Sequence, residues 1–355
     1  EQKILAGHDV SDGGLITTLL EMCFADDRIG LDINVSSIKS ATIKEVFFAE
    51  NPALVIQVNK SDTISEYLIA ENIGFQKIGT LDLGQGNQAF IHGNYHDKTF
   101  ALDIAYFRNC WFETSYLLDS KQCGEDKAKQ RYENYTLQTL HYSFHPSFSG
   151  KIQHVERKIN AAIVREQGTN GDREMAYSLF LAGFNVKDVH ISDLIEGRED
   201  LKDISMLVFP GGFANSDVLG SAKGWAGAFI YNEKANKALK DFYAREDTLS
   251  LGVCNGCQLM VELGLLYPNH AEMPKMLHND SHKFESEFIN VDILPTNSVM
   301  LSNMAGSRLG IWVAHGEGKF HLPYSEEKYS IPMKYSYSDY PANPNGSRYN
   351  TAAIC

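Results

Sequence analysis

A cysteine lies between two glycines at the point where an apolar run passes into a helical one. The segment Gly252–Gly256 reads Gly-Val-Cys-Asn-Gly, so a glycine stands two residues before and two residues after Cys254. This spacing is typical of a nucleophile elbow, a strained turn from strand to helix where larger neighbours would collide with both elements. The helix N-terminus places positive partial charge beside the sulfur and favours the thiolate. We therefore predict a nucleophilic Cys254 rather than a small buried residue in a glycine-rich turn.

A second glycine-rich loop supplies candidate partners for that nucleophile. Phe209-Pro-Gly-Gly-Phe213 follows another apolar run, and glycines let backbone N–H groups face a ligand without steric obstruction. Alone, such a pair marks an ordinary tight turn. Together with the N–H of Asn255, the N–H of Gly212 would form an oxyanion hole, which stabilises the negative oxygen produced when a nucleophile attacks a carbonyl.

The elements that position these loops follow a strand-helix-strand rhythm from Lys158 onward. The predicted strands are Ile159–Val164, Asn185–Ile191, Met206–Phe209 and Ser250–Val253, and the predicted helices are Asp172–Ala182 and Glu233–Ala244. This alternation predicts an α/β fold with a parallel sheet, helices on both faces and chemistry at the carboxyl ends of the strands. Because a parallel sheet brings successive strand ends to one rim, we predict that the two glycine-rich loops meet there.

Residues 1–104 have a different, α+β character. The run Ala53–Val58 predicts a buried strand, and Ser61–Asn72 predicts a helix with Ser61 as its N-cap. Strand-like runs at 88–92 and 99–104 flank Gly93-Asn94 and predict a hairpin. Residues 105–157 are aromatic, charged and then rich in turn formers, so they predict a helical connector followed by an extended linker.

Composition excludes several classes of protein. The 355 residues carry a formal net charge of -13, which argues against a surface that coats nucleic acid. Apolar stretches fall short of the roughly 20 residues that span a membrane. Six cysteines without a signal peptide favour free thiols in a reducing cytosol, and hence a cytoplasmic protein. The first residue is Glu1, and the last, Cys355, ends a strand-like run; both ends are expected to be cut from a longer chain.

Several segments together resemble the class I glutamine amidotransferase domain of the phosphoribosylformylglycinamidine synthase family, in its large single-chain form. They are Gly211–Phe213, Asp217–Ala226, Gly252–Gln258, Ala314–Lys319 and Tyr340–Ser347. The hexapeptide Val-Cys-Asn-Gly-Cys-Gln and the run Asp-Val-Leu-Gly-Ser-Ala-Lys-Gly-Trp-Ala separate this family from other amidotransferases, whose elbows read differently. The resemblance implies an amidotransferase domain over residues 158–355.

The resemblance also implies a reaction. Cys254 attacks the glutamine carboxamide, Gly212 and Asn255 hold the oxyanion, and Phe213 and Gln258 contribute to glutamine binding. The ammonia released passes to the synthetase portion, where ATP activates formylglycinamide ribonucleotide for amidation in purine biosynthesis. Glutamine, this ribonucleotide and ATP are thus the implied substrates, and the upstream synthetase region of the same chain is the implied partner.

The first residues resemble the segment that opens the last synthetase subdomain of this family. His8-Asp-Val-Ser-Asp-Gly-Gly-Leu15 matches its H-D-x-S-D-G-G-L pattern. The resemblance implies that Asp9 binds Mg²⁺ held by a nucleotide and that Ser11 contacts the nucleotide, making ATP and Mg²⁺ the expected cofactors. Carboxylate oxygen is a suitable hard ligand for this ion. Taken alone, aspartates before a Gly-Gly turn more often cap a helix.

Two departures from the family pattern limit these expectations. Residues 214–216 read Ala-Asn-Ser where Ser-Tyr-Ala or Ser-Tyr-Gly is usual, which weakens any side-chain contact from that loop to glutamine. The family's His and Glu lie in an M-P-H-P-E-R segment that is absent from these 355 residues. His315 is a poor substitute because its His-Gly-Glu-Gly context matches another family segment. We therefore expect an amidotransferase domain that is incomplete at its C-terminal end, with trace glutaminase activity but with Cys254 as its most reactive thiol.

Two alternative functions remain open for the chain: a catalytically silent binding or scaffold fragment, or another cysteine-elbow α/β hydrolase. Two further groups of residues are weaker candidates for a site. Cys257 forms a Cys-x-x-Cys pair with Cys254, but its place inside the elbow disfavours a zinc or redox site. His141 and His145 are best interpreted as linker residues.

Overall fold

The computed structural model describes residues 4–26, 28–40, 42–59, 61–83, 89–151 and 159–355. The chain divides into two compact units, Glu1–Leu118 and Asp119–Cys355. This division falls inside the predicted connector. In the described part of the chain, no helix is both long enough and apolar enough to cross a membrane.

The first unit combines two small sheets with helices. Its strands are β1 (Ile4–Val10), β2 (Gly30–Asn34), β3 (Ala53–Val58), β4 (Gly79–Asp82), β5 (Phe90–Tyr95) and β6 (Lys98–Asp103). Its helices are α1 (Gly14–Cys23), α2 (Ile43–Phe48) and α3 (Ser61–Ala70), and α4 (Ile104–Cys123) begins in this unit. Strands β1 and β3 pair antiparallel, and the other sheet has the order β4-β2-β5-β6 with β2 and β5 parallel. This is the α+β character that the sequence predicts.

The predicted strand at Ala53–Val58 is observed, but the prediction that it is buried is wrong. β3 pairs with β1 in a sheet of two strands, and Leu54 is 75% exposed. Apolar side chains favour burial, but a strand is buried only where other elements pack against its sheet. The predicted helix is present as α3. Ser61 is its first residue, and the side chain of Ser61, proposed as N-cap, lies outside the described residues.

The predicted hairpin is confirmed, with a different turn. β5 and β6 pair antiparallel from Phe90↔Asp103 to Tyr95↔Lys98, so the chain reverses at His96-Asp97. Gly93 lies within β5, opposite Phe100. A Cβ on Gly93 would come within 1.9 Å of the Phe100 ring, so this glycine makes room for a ring on the neighbouring strand. Gln88, at the predicted start, lies outside the described residues.

The second unit contains the predicted parallel sheet. Its first strands are β7 (Ile159–Arg165), β8 (Phe184–His190), β9 (Met206–Phe209) and β10 (Leu249–Gly252). Its helices are α5 (Glu125–Asn134), α6 (Asp172–Leu181), α7 (Ile191–Glu196), α8 (Lys223–Ile230), α9 (Glu233–Tyr243) and α10 (Asn255–Glu262). All neighbours in the order β10-β9-β7-β8 run parallel. The α/β prediction is confirmed.

Strand β9 is buried on both faces, as expected of a central parallel strand. Leu207 and Phe209 belong to one apolar core, and Met206 and Val208 belong to the other. The Phe209 ring is fully buried and meets Trp225 edge-on at 5.8 Å between centroids. This packing anchors the end of β9, from which the Pro-Gly-Gly loop begins.

A second sheet and the linker complete this unit. The remaining strands are β11 (Lys275–Leu277), β12 (Glu285–Ile293), β13 (Arg308–His315), β14 (Lys319–His321), β15 (Met333–Tyr335) and β16 (Thr351–Ala353). Four of them form an antiparallel sheet in the order β13-β12-β15-β16. The extended segment after α5 runs along β13, where Ser143 bridges Arg308 and the backbone N–H of His145 donates to Ser307 Oγ at 2.9 Å. The linker is thus attached to the edge of the sheet.

A cluster of charged side chains joins the end of α4, α5 and β12. Arg131 contacts Glu285 at 2.8 Å, Asp119 at 3.2 Å and Glu287 at 3.7 Å, and it also hydrogen-bonds the Tyr340 hydroxyl. Glu285 is 1% exposed. Burial raises the pKa of Glu287 to about 7, although Arg131 acts in the opposite direction. Lys283 also pairs with Asp119, so two cations balance three carboxylates inside the unit.

Candidate active site

Cys254 occupies the turn between β10 and α10. Its backbone has φ 53° and ψ -114°, a conformation that non-glycine residues rarely adopt. The strand ends at Gly252 and the helix begins at Asn255, so the turn is as tight as the predicted elbow requires. Strain of this kind persists only where the surrounding structure enforces it, and it is concentrated at functional sites.

Both predicted glycines are sterically required. A Cβ on Gly252 would lie 2.5 Å from the carbonyl oxygen of Gly256 and 2.7 Å from Met260 Sδ, which belong to α10. A Cβ on Gly256 would lie 2.0 Å from the carbonyl oxygen of Phe209, in β9. The predicted collisions with helix and strand are confirmed.

The two glycine-rich loops meet at the sulfur of Cys254. A Cβ on Gly211 would lie 3.8 Å from this sulfur, and the backbone N–H groups of Gly212 and Asn255 each lower the pKa of the thiol. Gly212 has φ 122° and pairs with Thr169, and a Cβ there would lie 2.4 Å from the backbone nitrogen of Asn170. The predicted meeting of the loops at one rim is confirmed, because the backbone N–H of Ala214 also donates to Asn255 Oδ1 at 3.0 Å. The assignment of Gly212 and Asn255 as oxyanion donors stays a prediction.

The net shift of the Cys254 pKa is upward, against the expected stabilisation of the thiolate. Desolvation is the largest cause; the hydrogen bonds from Gly212 and Asn255 oppose it, and the charge of Asp217 adds to it. Cys254 is reachable from solvent, but its sulfur lies beside Gly211 and 3.7 Å from the Ala314 carbonyl oxygen. The helix terminus and the N–H donors are therefore insufficient by themselves to ionise the thiol, so attack requires a base.

A family model described as a CobB/CobQ-like glutamine amidotransferase domain matches residues 158–355, more than half of the chain and all of the sheet that carries Cys254. The chain belongs to this family. A second model, described as the C-terminal domain of an AIR synthase related protein, matches residues 1–92.

Curated relatives match across the amidotransferase domain and the segment before it. One named "Probable phosphoribosylformylglycinamidine synthase, chloroplastic/mitochondrial", from Arabidopsis thaliana, is 37% identical over the whole of this chain and 27% of its own length. "Phosphoribosylformylglycinamidine synthase" of Dictyostelium discoideum is 34% identical over the whole chain and 29% of its own length. A third, "Probable phosphoribosylformylglycinamidine synthase" of Caenorhabditis elegans, is 35% identical over 99% of the chain and 29% of its own length. The chain spans less than a third of these relatives.

Phe213 and Gln258, the predicted glutamine-binding residues, are placed differently in the amidotransferase domain. The Phe213 side chain, next to Gly212 in the sequence, is 54% exposed, with its ring 6.2 Å from that of Phe284. Gln258 is 5% exposed, and its amide donates to the Glu317 carbonyl oxygen at 2.9 Å. Phe213 is therefore accessible to a bound amino acid, whereas the buried and paired Gln258 side chain favours a structural role.

The loop that departs from the family pattern takes an uncommon backbone path. Asn215, Ser216 and Asp217 all have positive φ values, between 48° and 56°. The Asp217 carboxylate accepts from the backbone N–H of Ala222 at 3.0 Å and from Asn255 Nδ2 at 3.1 Å. Asp217 was not among the predicted site residues, although the matched Asp217–Ala226 run begins with it.

His315 follows the residue of β13 that approaches Cys254, whose sulfur lies 3.7 Å from the Ala314 carbonyl oxygen. The His315 ring packs on Gly318, and its Nε2 lies 3.4 Å from Asn345 Nδ2. Burial lowers the pKa of His315. That His315 is not the base stays a prediction.

Cys257 is a core residue of the amidotransferase domain. It packs with Val261 and Phe320, and burial raises the pKa of its thiol to about 12. Within the described ranges, no group of three or more His, Cys, Asp or Glu side chains has the arrangement to hold a metal ion.

The predicted metal residue, Asp9, lies near the end of β1. Its side chain is 69% exposed, while its backbone oxygen accepts from Thr18 Oγ1 at 3.1 Å. Helix α1 is capped by Gly13, without a side-chain hydrogen bond, and the Gly13 N–H donates to Glu50 at 3.0 Å. Asp9 therefore does not cap this helix, which removes the alternative interpretation. Ser11 is exposed next to it.

Proposed function

We propose that this chain supplies the glutamine-hydrolysing site of a glutamine-dependent C–N ligase. The strained turn that places Cys254 at the start of α10, against the loop after β9, carries this proposal. A base removes the thiol proton, and Sγ attacks the carboxamide carbon of glutamine while the two N–H groups hold the negative oxygen. The C–N bond breaks, the nitrogen takes a proton and ammonia leaves. Water then hydrolyses the γ-glutamyl thioester to glutamate and restores Cys254.

The acceptor that fits best is formylglycinamide ribonucleotide. The relatives carry the name phosphoribosylformylglycinamidine synthase, and the two family models correspond to an amidotransferase domain and to a segment of the synthetase region. In this reaction ATP activates the amide oxygen of the ribonucleotide, and ammonia displaces phosphate to form the amidine. The upstream synthetase region of the same protein would hold most of that machinery.

The proposal is tested by following both half-reactions with the full-length protein. With glutamine, ATP, Mg²⁺ and formylglycinamide ribonucleotide, we expect glutamate and the amidine product in equal amounts. Acid quenching within the first turnovers should trap a γ-glutamyl adduct on the peptide that contains Cys254, detectable by mass spectrometry. An adduct on another residue, or glutamine consumption without any adduct, would contradict the assignment of the nucleophile.

Asp9 and Ser11 are proposed to contribute to a nucleotide site in the segment before the amidotransferase domain. The Asp9 carboxylate is solvent-exposed and free of a capping role, and hard oxygen ligands suit Mg²⁺, which commonly takes only one or two carboxylates from a protein. The single carboxylate fits one coordination position. Bound Mg²⁺ would neutralise nucleotide phosphates next to the Ser11 hydroxyl.

We predict that Asp9→Asn in the full-length protein lowers retained nucleotide by about tenfold, because an amide oxygen lacks the charge that attracts Mg²⁺. The measurement is nucleotide content after desalting, together with the midpoint of thermal unfolding with and without added Mg²⁺. Asp12→Asn is the matched control in the same loop and should retain the wild-type content. Equal content in wild type and Asp9→Asn would remove the metal role.

The proposed location is a reducing compartment such as the cytosol. All six cysteines are free, and a reactive thiol at position 254 is preserved only where oxidation is limited.

A further inference from the structure

The side chain of Asn255 lies at the centre of the hydrogen bonds that join the loops around Cys254. It is fully buried, and its Oδ1 accepts from the backbone N–H of Ala214 at 3.0 Å. Its Nδ2 donates to the Asp217 carboxylate at 3.1 Å and to Gln258 Oε1 at 3.0 Å. A single amide thus uses its acceptor and both of its donor hydrogens, which a carboxylate or an apolar side chain of the same size cannot do.

The same set of bonds reaches a third loop. Gln258 passes the connection on, because its Nε2 donates to the Glu317 carbonyl oxygen at 2.9 Å. Glu317 in turn accepts from the backbone N–H of Ser221 at 3.4 Å. The loop after β9, the elbow and the loop between β13 and β14 are therefore tied together through Asn255.

This arrangement bears directly on the oxyanion donors. One donor is the backbone N–H of Asn255 itself. The other is the N–H of Gly212, in the loop whose Ala214 nitrogen is held by the Asn255 side chain. An error of about 1 Å in the placement of such groups costs on the order of a hundredfold in rate. Asn255 supplies one N–H donor and fixes the loop that carries the other. Both N–H groups therefore stay directed at the same position.

We propose that the side chain of Asn255, paired with Asp217, is a positioning element that sets the two oxyanion donors on Cys254. This inference rests on the proposed glutaminase function. A purely structural asparagine would stabilise the fold without a specific effect on the transition state. The positioning role instead predicts a loss in kcat that is reversed when the donor and acceptor are exchanged between positions 255 and 217.

The test is a double-mutant cycle in the full-length protein. Asn255→Asp replaces the donor with a second carboxylate facing Asp217, and we expect kcat for glutamine hydrolysis to fall about a hundredfold, in the range found for loss of an oxyanion donor. KM for glutamine should stay within about threefold. In Asn255→Asp with Asp217→Asn, the donor lies on residue 217 and the total charge is that of the wild type. We expect recovery of at least about tenfold, incomplete because Gln258 Oε1 still lacks its donor.

A second readout does not depend on turnover. The rate of Cys254 alkylation by iodoacetamide is followed against pH by mass spectrometry. We expect its midpoint to move upward in Asn255→Asp and to return toward the wild-type value in the double variant. Asn185→Asp adds the same charge at an exposed position of β8 and should leave kcat and the alkylation midpoint unchanged.

The outcomes separate the two proposals. Absence of glutamine hydrolysis in the wild type would refute the proposed function, whereas the alkylation profiles would still decide the role of Asn255. The positioning role is wrong if the two single changes are additive in the double variant. In that case its fall in kcat and its shift in the alkylation midpoint would equal the combined effects of Asn255→Asp and Asp217→Asn. If Asn255→Asp alone fails to fold, the double variant is compared with Asp217→Asn. A kcat of the double variant within about threefold of that of Asp217→Asn supports the exchange of donor and acceptor. A kcat of the double variant more than about tenfold below that of Asp217→Asn refutes it.

Discussion

Cys254→Ala in the full-length protein is expected to abolish glutamine-dependent amidation while leaving amidation with added ammonium salt largely intact. In the proposed mechanism the sulfur forms the thioester, so its removal should lower kcat for glutamine hydrolysis by about four orders of magnitude or more. In the same mechanism free ammonia enters after the glutaminase step and does not need the thiol. The measurement is amidine formation with glutamine and, separately, with ammonium chloride. All assays use one pH, so that the wild type and the variant receive the same concentration of uncharged ammonia.

The matched control is Cys110→Ala, which removes an exposed thiol from helix α4. It should keep both activities. Equal loss of the glutamine and ammonia activities in Cys254→Ala would indicate damage to the fold rather than loss of a nucleophile. Retention of glutamine-dependent activity in that variant would require a different nucleophile and would contradict the proposed chemistry.

Arg131→Met is expected to give the largest loss of stability among single substitutions outside the apolar cores. Arg131 contacts Glu285, Glu287 and Asp119, and the Glu285 side chain is 2% exposed. Lys283 would still pair with Asp119, but Glu285 would lose its ion-pair partner Arg131. Removing one partner of a buried ion pair commonly costs about 3–5 kcal/mol. The Arg131 side chain retains 31% exposure, so we expect a loss near the lower limit, about 3 kcal/mol. Urea unfolding followed by tryptophan fluorescence would measure the loss.

The effect of Arg131→Met should depend on pH. The pKa of Glu287 is raised by burial to about 7. Its contribution to stability is therefore present at low pH, where the carboxyl is protonated, and is lost as the pH rises through about 7. Without Arg131, ionised Glu287 also repels Glu285. The loss should thus be larger at pH 8 than at pH 6.

Lys129→Met is the control for Arg131→Met on the same helix. The Lys129–Glu133 pair is 63% and 60% exposed, and exposed pairs of this kind contribute below about 1 kcal/mol. A similar small loss in both variants would show that the Arg131 cluster is worth no more than a surface ion pair. A loss larger at pH 6 than at pH 8 would contradict the role given to Glu287.

Local patterns were sufficient to predict the elements of the catalytic loops. Glycine is required at position 252 because a side chain there would collide with helix α10, and at position 256 because a side chain there would collide with Phe209. The parallel strands around Met206–Phe209 follow from continuous apolar runs and short spacings. These features depend on residues close in sequence or on a general rule for parallel sheets. For this reason the meeting of Gly212 and Cys254 at one rim was predictable.

Burial and charge balance were not predictable in the same way. The apolar run at Ala53–Val58 forms the expected strand, yet Leu54 is exposed because β3 pairs only within a sheet of two strands. The cluster around Arg131 brings together residues more than 150 positions apart in sequence. Its partners include Glu285, which no local pattern distinguishes from a carboxylate on the surface. Ion pairs of this kind form only when helices and strands that are distant in the sequence pack against one another.

The sequence by itself was enough to propose the nucleophile and the loops that surround it, because the glycine spacing of an elbow is set by contacts between neighbouring elements. Only the tertiary structure decided the state of that nucleophile. Desolvation by the enclosing loops outweighs the N–H donors that lower the pKa of the Cys254 thiol. The buried amide of Asn255 joins loops that are distant in the chain. Desolvation and the hydrogen bonds between loops depend on every element that encloses the site, so they arise only when the complete domain is folded.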